Sequence, residues 1–198
     1  MSRTRQAERS EATRAKLIGA ARELFGKRGY SAVGTEQVVK RARVTRGALY
    51  HHFDDKRDLF RAMYEQVETE LTERIGAELV ARAADDPLEA LLEGMESVLD
   101  LSLDPDLRQI TLVDAPAVLG WSEWRTLGDR YGLGLATAAL EMGMEAGELR
   151  RQPARPLAHV LLAAMYEAAL MVANSDDVDA ARAEAEQALR SIVEGLRS

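Results

Sequence analysis

The chain of 198 residues has a net charge of −7, with 46% hydrophobic and 30% charged residues, a composition that is typical of globular proteins and argues against disorder. It contains no cysteine, which excludes disulfides and thiolate chemistry. Because no apolar segment follows the polar N-terminus as in a signal peptide, and because the apolar stretch 160–173 is too short to span a bilayer, we expect a cytoplasmic protein without a membrane partner.

Charge is distributed unevenly along the chain. Residues 1–60 contain fourteen basic and seven acidic residues, a balance of +7, whereas residues 61–198 have a balance of −14. A basic segment attached to an acidic remainder favours a polyanion as the partner of the N-terminal part. Solvated helices with a chance excess of arginine would give the same balance, so charge alone favours nucleic acid only slightly.

The N-terminal part has the periodicity of four helices and no alternating strand pattern. The first helix ends near Gly29, a short helix begins at Gly34 or Thr35, and another has Thr45 as its N-cap. A longer helix follows Asp55, which caps it. The apolar stripes of the two longer helices consist of Leu17, Ile18, Ala21, Leu24 and Phe25, and of Phe60, Met63, Val67, Leu71, Ile75 and Leu79.

The C-terminal part also has helical periodicity throughout. Proline-containing breaks near Asp86 and at Pro105 separate one helix from a short apolar segment, 107–121. The helices that we expect in this part cover 88–99, 122–146, 157–174 and 178–196. The third of these is apolar nearly all round and should be buried. The sequence therefore predicts an all-α fold of about nine helices.

Three short helices lie in the basic segment, and the tight turn "RARV" joins two of them, as in a helix-turn-helix. A recognition helix must be slim enough to enter the major groove, and Gly47 and Ala48 make one side of the third helix small. Leu49 and Phe53 can fix its inner side. Hydrogen-bond donors for phosphates are available at Thr45, Arg46, Tyr50, His51, His52 and Lys56.

The segment "KLIGAARELFGKRGYSAVGTEQVVKRARVTRGALYHHFDDKRDLF" combines an aliphatic-Ala-Ala…Leu-Phe helix, Gly-Tyr, and Gly-x-Leu-Tyr-x-His-Phe-x-x-Lys-x-x-Leu. In this pattern the chain resembles, over residues 14–65, the DNA-binding domain of the TetR (tetracycline repressor) family. The resemblance implies nine helices, with a three-helix helix-turn-helix domain at 1–54 and a helical ligand-binding and dimerisation domain at 55–198. Within the first domain we expect residues 1–13 to form a disordered basic arm. Arg3, Arg5 and Arg9 would either reach a minor groove or remain disordered.

The resemblance also implies the residues that contact DNA. They are Thr35, Arg43, Thr45, Arg46, Gly47, Ala48, Tyr50, His51, His52 and Lys56. Among these, Tyr50, His52 and Lys56 are expected at phosphates, and Arg46 and His51 at base edges.

Two positions depart from the family pattern. Gly34 stands where a serine or threonine is frequent, which retains an acceptable helix cap but loses a side-chain contact. Arg43 stands where the turn often has glycine, so it either strains the turn or adds a phosphate contact.

Other chemistries fit the sequence poorly. Adjacent residues such as His51 and His52 point about 100° apart on a helix, whereas metal ligands on one face need a spacing of three or four. His159 has no evident catalytic partner, and no glycine-rich phosphate loop or Gly-x-Ser-x-Gly elbow occurs. We therefore expect no metal, no cofactor and no enzymatic activity.

A ligand-responsive regulator needs a pocket in its C-terminal part. The candidate lining residues are Met95, Leu99, Asp114, Trp121, Trp124, Tyr131, Met165 and Glu167. Methionines and aromatic residues form adaptable apolar walls, and a lone acid can orient a polar ligand. Aromatic residues at helical spacing are more often part of a core, however, so Trp121 and Trp124 line either a pocket or only the core.

The leading functional hypothesis is a homodimeric transcriptional regulator, a repressor that a small molecule releases from a palindromic operator. Its last two helices would form a four-helix interface. The alternative is a ligand-independent DNA-binding or architectural dimer. A helical interaction module that does not bind DNA would require the basic segment to be incidental.

Overall fold

The computed structural model describes residues 2–82, 87–100 and 103–197. In these ranges it contains nine helices if the irregular segment 105–119 is counted as one, and no strand, only an isolated bridge between Leu149 and Arg197. The helices are α1 (Ser2–Arg28), α2 (Thr35–Ala42), α3 (Arg46–His52), α4 (Lys56–Arg82), α5 (Pro87–Leu99), α6 (105–119), α7 (Trp121–Glu145), α8 (Ala154–Ala173) and α9 (Val178–Glu194). The all-α prediction is confirmed. The break near Asp86 and the side chain of Leu79 lie outside the described residues.

The first helix begins earlier than the sequence led us to expect. α1 starts at Ser2, so the segment that we expected to be a disordered arm is helical from its second residue onward. Its alanines, arginines, glutamates and glutamine are strong helix formers, which accounts for the continuation. Arg9 is exposed, whereas the side chains of Arg3 and Arg5 lie outside the described residues.

The residues pack as two compact units. We call the first the head unit, which consists of Met1–Val67 and Pro105–Trp121, and the second the body unit, which consists of Glu68–Asp104 and Ser122–Ser198. Packing thus groups the chain differently from our expected division at residue 54. α4 contributes residues to both units.

An aromatic cluster forms the centre of the head unit. The rings of Phe25, Tyr30 and Phe60 lie 5.3–5.7 Å apart between centroids, a favourable separation for tilted and edge-to-face pairs. Gly29, with φ of +76°, ends α1 directly before Tyr30. The apolar stripe predicted for α1 is buried in this unit, except for a half-buried Leu24.

The short apolar segment predicted before α7 belongs to the head unit. α6 starts as Pro105–Arg108, continues as a π-helix over Gln109–Asp114 and ends as Ala115–Leu119. The guanidinium of Arg57 donates hydrogen bonds to the carbonyls of Val118 and Leu119, at 3.1 and 3.0 Å. These bonds satisfy carbonyls at the helix end that have no partner inside the helix.

α5, α8 and α9 pack against one another in the body unit. Arg190 of α9 pairs with Glu89 and Glu96 of α5. α8 has 20 residues, longer than the apolar stretch that we read from the sequence, and by length and composition alone it could cross a membrane. A single such helix is weak evidence, because core helices of soluble proteins have the same character.

Candidate nucleic-acid interface

α2, the turn after it and α3 form the predicted helix-turn-helix. Gly34 precedes α2 in extended conformation, and its N–H donates to Oε1 of Gln37 at 3.2 Å, so the Gln37 side chain caps this end. The Oγ1 of Thr45 accepts a hydrogen bond from the backbone N–H of Ala48 at 3.2 Å. Thr45 is therefore the N-cap of α3, as predicted.

The turn contains one residue in an unusual conformation. Arg43 has φ 55° and ψ 44° and is, within the described ranges, the only residue other than glycine with positive φ. A side chain in this left-handed region costs about 1–2 kcal/mol. The sequence left strain and a phosphate contact as alternatives for Arg43, and the backbone angles show the strain.

α3 has two different sides. Leu49 and Phe53 are buried, at 0% and 2% exposure, and fix the helix to the rest of the head unit. Gly47 and His51 are exposed on the other side, and Tyr50 is 46% exposed. The side that carries most of the predicted contacts is therefore open to another molecule.

The two adjacent histidines differ in environment. His51 is exposed, whereas His52 is half-buried with its ring 6.3 Å from that of Phe53. Their rings lie edge to face, 5.2 Å apart and 70° to each other. His51 is therefore the member of the pair that is more open to another molecule.

Four side chains from α2 and α3 form a polar cluster, which we call the quartet: Thr35, Glu36, Arg46 and Tyr50. The Nη1 of Arg46 lies 3.5 Å from Oε1 of Glu36, and its guanidinium carbon lies 5.6 Å from the centroid of the Tyr50 ring. Hydrogen bonds with the side chains of Thr35 and Arg46 lower the pKa of the Tyr50 phenol. Three members were predicted as DNA contacts. Glu36 was not among the predicted contacts, and the sequence did not single it out, because acids are common in the first turn of a helix.

Lys56 has partners that the sequence did not indicate. Its Nζ donates to the carbonyl oxygen of Tyr30 at 2.6 Å and lies 3.8 Å from the centroid of the Tyr30 ring. Burial lowers the pKa of this ammonium, and the nearby Asp114 carboxylate opposes that effect. In this structure Lys56 therefore connects the start of α4 to the end of α1, and its phosphate contact remains a prediction.

Asp114 lies in the head unit. Its Oδ2 accepts a hydrogen bond from the backbone N–H of Tyr30 at 2.7 Å, and its side chain caps no helix. Burial raises the pKa of this carboxyl, against the effects of the Tyr30 and Gln109 hydrogen bonds and the charge of Lys56. The acid that we expected to orient a ligand thus holds the segment after α1.

The two tryptophans that we considered together have different environments. Trp124 is 2% exposed, whereas Trp121 is 58% exposed. Trp121 ends the head unit and Trp124 belongs to the body unit. Trp124 packs edge to face on Tyr166 at 5.6 Å, so it has the environment of a core residue.

The remaining candidates for ligand binding lie in the body unit and differ in burial. Met95 and Leu99 are buried and border a narrow cleft beside Leu189. Met165 is buried, Tyr131 half-buried and Glu167 exposed. An open cleft between α7 and α8 has none of the predicted residues in its lining, which consists of Asp129, Arg130, Leu133, Arg155, Pro156, His159 and Val160.

Two family models match the chain. Residues 17–63 match the model for bacterial regulatory proteins of the tetR family. Residues 88–196 match a tetracyclin repressor-like C-terminal domain. The two matches fall on the helix-turn-helix and on most of the remaining helices.

Individual relatives agree with this result. A TetR-family transcriptional regulator from Pectobacterium atrosepticum is 31% identical, with a TM-score of 0.86 and coverage of 96% of each chain. The Transposon Tn10 TetC protein of Escherichia coli is 27% identical over 81% of this chain and 80% of its own length. RolR in complex with resorcinol, 22% identical with a TM-score of 0.72 over 94% of each chain, has the same fold.

The class of these relatives decides between the kinds of protein that we considered. They are regulators of transcription and not enzymes, which confirms that expectation. The motif in residues 14–65, the exposed recognition helix and the matches over both parts of the chain agree with one another. The chain belongs to the TetR family of DNA-binding transcriptional regulators.

Proposed function

We propose that the protein is a cytoplasmic homodimeric repressor, which binds a palindromic operator through α3 of each protomer and leaves it when a small molecule binds. The observation that carries this proposal is the two-sided character of α3. Leu49 fixes the helix, while Tyr50 and His51 remain open to a partner. A dimer would place two such helices in successive major grooves.

The exposed side of α3 supports distinct roles for its residues. We propose that Arg46 and His51 read base edges, because arginine is a common partner of guanine and Gly47 allows close approach. Tyr50 and His52 would contact phosphates, which fix the position of the protein on the duplex. We retain Thr35, Arg43, Thr45, Ala48 and Lys56 as further proposed contacts.

Substitutions at two of these positions test the DNA-binding roles. Tyr50→Ala should weaken binding to all duplexes similarly, whereas Arg46→Ala should also reduce the preference for selected over random sequences. A base contact contributes about 1–3 kcal/mol of discrimination. Gel-shift titrations would use duplexes that the wild-type protein selects from a random library. Arg74→Ala removes the same charge from an exposed position in the body unit and serves as control. Unchanged affinity for both α3 variants would refute the assignment.

An exposed apolar stripe supports the homodimer. Val160 and Met171 of α8 are 63% and 62% exposed, and Ile192 of α9 is 48% exposed. Glu167 is exposed on the same helix, two-thirds of the way between the two α8 residues. Isologous contact of α8 and α9 with a second copy would bury this surface.

The oligomeric state can be tested by light scattering. Met171→Asp should convert a dimer into monomers, because a charge buried without a partner destabilises an interface. Val113→Asp introduces the same charge at a residue of the head unit that is 45% exposed, and should leave the mass unchanged. A monomeric wild-type protein at micromolar concentration would contradict the proposal.

The effector part of the proposal is supported by the fold shared with RolR, which was crystallised with resorcinol. We propose that the ligand lies in the body unit near Trp124, Met165 and Tyr131. A ligand that binds the folded state at one hundred times its dissociation constant stabilises it by about 2.7 kcal/mol. We therefore expect resorcinol or another small aromatic compound to raise the melting temperature and to release DNA. If no compound in a broad panel does either, the ligand-independent alternative is favoured.

A further inference from the structure

We propose that Glu36 is a specificity-determining residue, which reads the same G·C base pair as Arg46 by accepting a hydrogen bond from the cytosine N4 amino group. The proposal rests on the placement of Arg46 at a base edge, proposed above. It assigns a role to the one member of the quartet that was not among the predicted DNA contacts.

Glu36 and Arg46 connect the two helices of the helix-turn-helix at its surface. Glu36 lies in the first turn of α2, and Arg46 is the first residue of α3. Nη1 of Arg46 and Oε1 of Glu36 are 3.5 Å apart, and the two side chains are 65% and 82% exposed. A hydrogen-bond donor and an acceptor therefore stand side by side and open to another molecule.

The ion pair itself adds little stability. An ion pair between exposed side chains contributes only about 0–1 kcal/mol. A carboxylate beside the proposed phosphate contacts also repels the DNA backbone, so Glu36 lowers affinity for duplexes in general. A carboxylate in the first turn of a helix favours that helix by about 0.3–1 kcal/mol, and its position beside Arg46 gives Glu36 a second effect, discrimination between sequences.

The hydrogen-bonding groups of a G·C pair are complementary to those of Arg46 and Glu36. In the major groove guanine presents N7 and O6 as acceptors, and cytosine presents the N4 amino group as donor. Guanine O6 and cytosine N4 are hydrogen-bonded to each other, about 2.9 Å apart. A guanidinium on guanine therefore places an adjacent carboxylate within reach of cytosine.

An A·T pair does not fit in the same orientation. It presents N7 as acceptor, then the adenine N6 amino donor, and then thymine O4 as acceptor. The second N–H of Arg46 would face a donor, and Glu36 would face an acceptor. Glu36 thus adds a penalty against A·T to the attraction that Arg46 provides for guanine, and specificity often combines both elements.

Tyr50 is the second residue of the quartet that lies close to Arg46. The guanidinium carbon of Arg46 lies 5.6 Å from the centroid of the Tyr50 ring, so the side chain is close to both a ring and a carboxylate. Ordering before binding reduces the rotamer entropy that a free arginine loses on the DNA. Glu36 accordingly orients Arg46 and also reads its own base.

The test starts from duplexes that the wild-type protein selects from a random library. Titration of these duplexes with the wild-type protein and with Arg46→Ala then identifies the G·C pair for which the variant has lost its preference. In a matched duplex the cytosine of that pair is replaced by pyrimidin-2-one, which lacks the N4 amino group and leaves guanine in place. We expect the wild-type protein to bind the replaced duplex about 5- to 100-fold more weakly. Glu36→Ala should show no such difference, and its affinity for random duplex should be equal or higher.

Glu23→Ala is the matched control. It removes an acid of the head unit that also pairs with an arginine, Arg41, but neither residue belongs to the quartet. This variant should discriminate between the two duplexes as the wild-type protein does. Circular dichroism melting should show that Glu36→Ala remains folded, since Glu36 is exposed.

The outcomes separate this inference from the proposed function. If Glu36→Ala loses as much affinity on the replaced duplex as the wild-type protein, Glu36 does not read cytosine and the inference is overturned, while the role of Arg46 stands. If Arg46→Ala changes no base preference at all, the placement of Arg46 fails and the inference fails with it.

Discussion

α3 of the head unit and α8 of the body unit present opposite kinds of surface. The exposed side of α3 carries polar residues, Tyr50 and His51 among them, and its buried side holds Leu49. On α8 the polar Tyr166 packs against α7, while Val160 and Met171 are exposed. The polar side chains of α3 are thus exposed, whereas Tyr166 of α8 is packed inside the body unit and apolar side chains of α8 are exposed.

Residue type therefore indicates a partner only when the exposure of the residue is known. Exposed donors beside small residues suit a polar, charged duplex. Exposed apolar residues in a row suit another apolar protein surface. The two tyrosines illustrate this difference. Tyr50 is half exposed and available to a partner, whereas Tyr166 packs edge to face on Trp124.

Buried and exposed residues are adjacent on α3, where Leu49 is buried and Tyr50 is exposed. Leu49→Ala should lower the free energy of unfolding by about 2–5 kcal/mol, because it leaves a cavity in the head unit. Tyr50→Ala should change stability far less while it weakens DNA binding. Urea denaturation followed by circular dichroism measures the first effect, and gel-shift titration measures the second. Equal destabilisation by both substitutions would break the distinction between the two sides.

Two glycines of α7 provide a test of how tightly Tyr166 is packed in the body unit. A methyl group at Gly128 would lie 2.5 Å from Oη and 3.0 Å from Cζ of Tyr166, whereas one at Gly134 would meet nothing within 4 Å. Gly128→Ala should therefore destabilise the protein by about 1–3 kcal/mol and alter the fluorescence of Trp124, which packs on Tyr166.

Gly134→Ala is the matched substitution in the same helix. It should stabilise the protein by about 0.5–1 kcal/mol, because alanine loses less backbone entropy in a helix than glycine. Stabilisation by both alanines in thermal melts would show that Tyr166 moves freely and does not require a glycine beneath it.

Most of the fold could be predicted from the sequence, because helical periodicity and capping residues act locally. The N-cap of α3 at Thr45 followed from its residue type, and the buried stripe of α4, as far as Ile75, followed from spacing. The continuation of α1 to Ser2 did not, because the basic composition indicated an arm and its helix propensity was not weighed. The packing of α6 with the head unit also escaped prediction, since it depends on bonds between residues about sixty positions apart, such as Arg57 and Leu119.

In the candidate site, too, some features could be predicted from local sequence and others depend on residues that are distant in the chain. The exposed positions on α3 follow from a dense motif, so sequence and structure place Tyr50 and His51 alike. Asp114 was considered for ligand binding because an acid in an apolar segment is unusual. Its partner, the backbone N–H of Tyr30, is 84 residues away and has no signature in the sequence. Glu36 was missed because only folding brings it beside Arg46.

The strained turn gives a smaller effect that concerns the head unit alone. Arg43→Gly should raise the free energy of unfolding by up to about 1 kcal/mol, because glycine adopts a φ of 55° without the clash of a Cβ atom. Arg43→Ala removes the same charge but keeps the Cβ atom, so it should stay near the wild-type value. Urea denaturation of the two variants separates strain from charge. If the alanine variant gains as much as the glycine variant, the turn is not strained.

Asp114 should give the smallest effect, and its sign depends on pH. Burial raises the pKa of this carboxyl in the folded state, so its contribution to stability is fully present below the unfolded pKa and is lost as pH rises through the folded value. Near neutral pH the ionised carboxylate is therefore less favourable than a neutral group of the same shape. Asp114→Asn keeps an oxygen that can accept from the N–H of Tyr30, and it should be the more stable protein at pH 7. That advantage should shrink as the pH falls and the wild-type carboxyl becomes protonated, and urea denaturation at several acidic pH values measures it. An advantage that grows on acidification would mean that the pKa is lowered, and that Asp114 acts as a paired charge beside Lys56 rather than as a buried acceptor for the backbone.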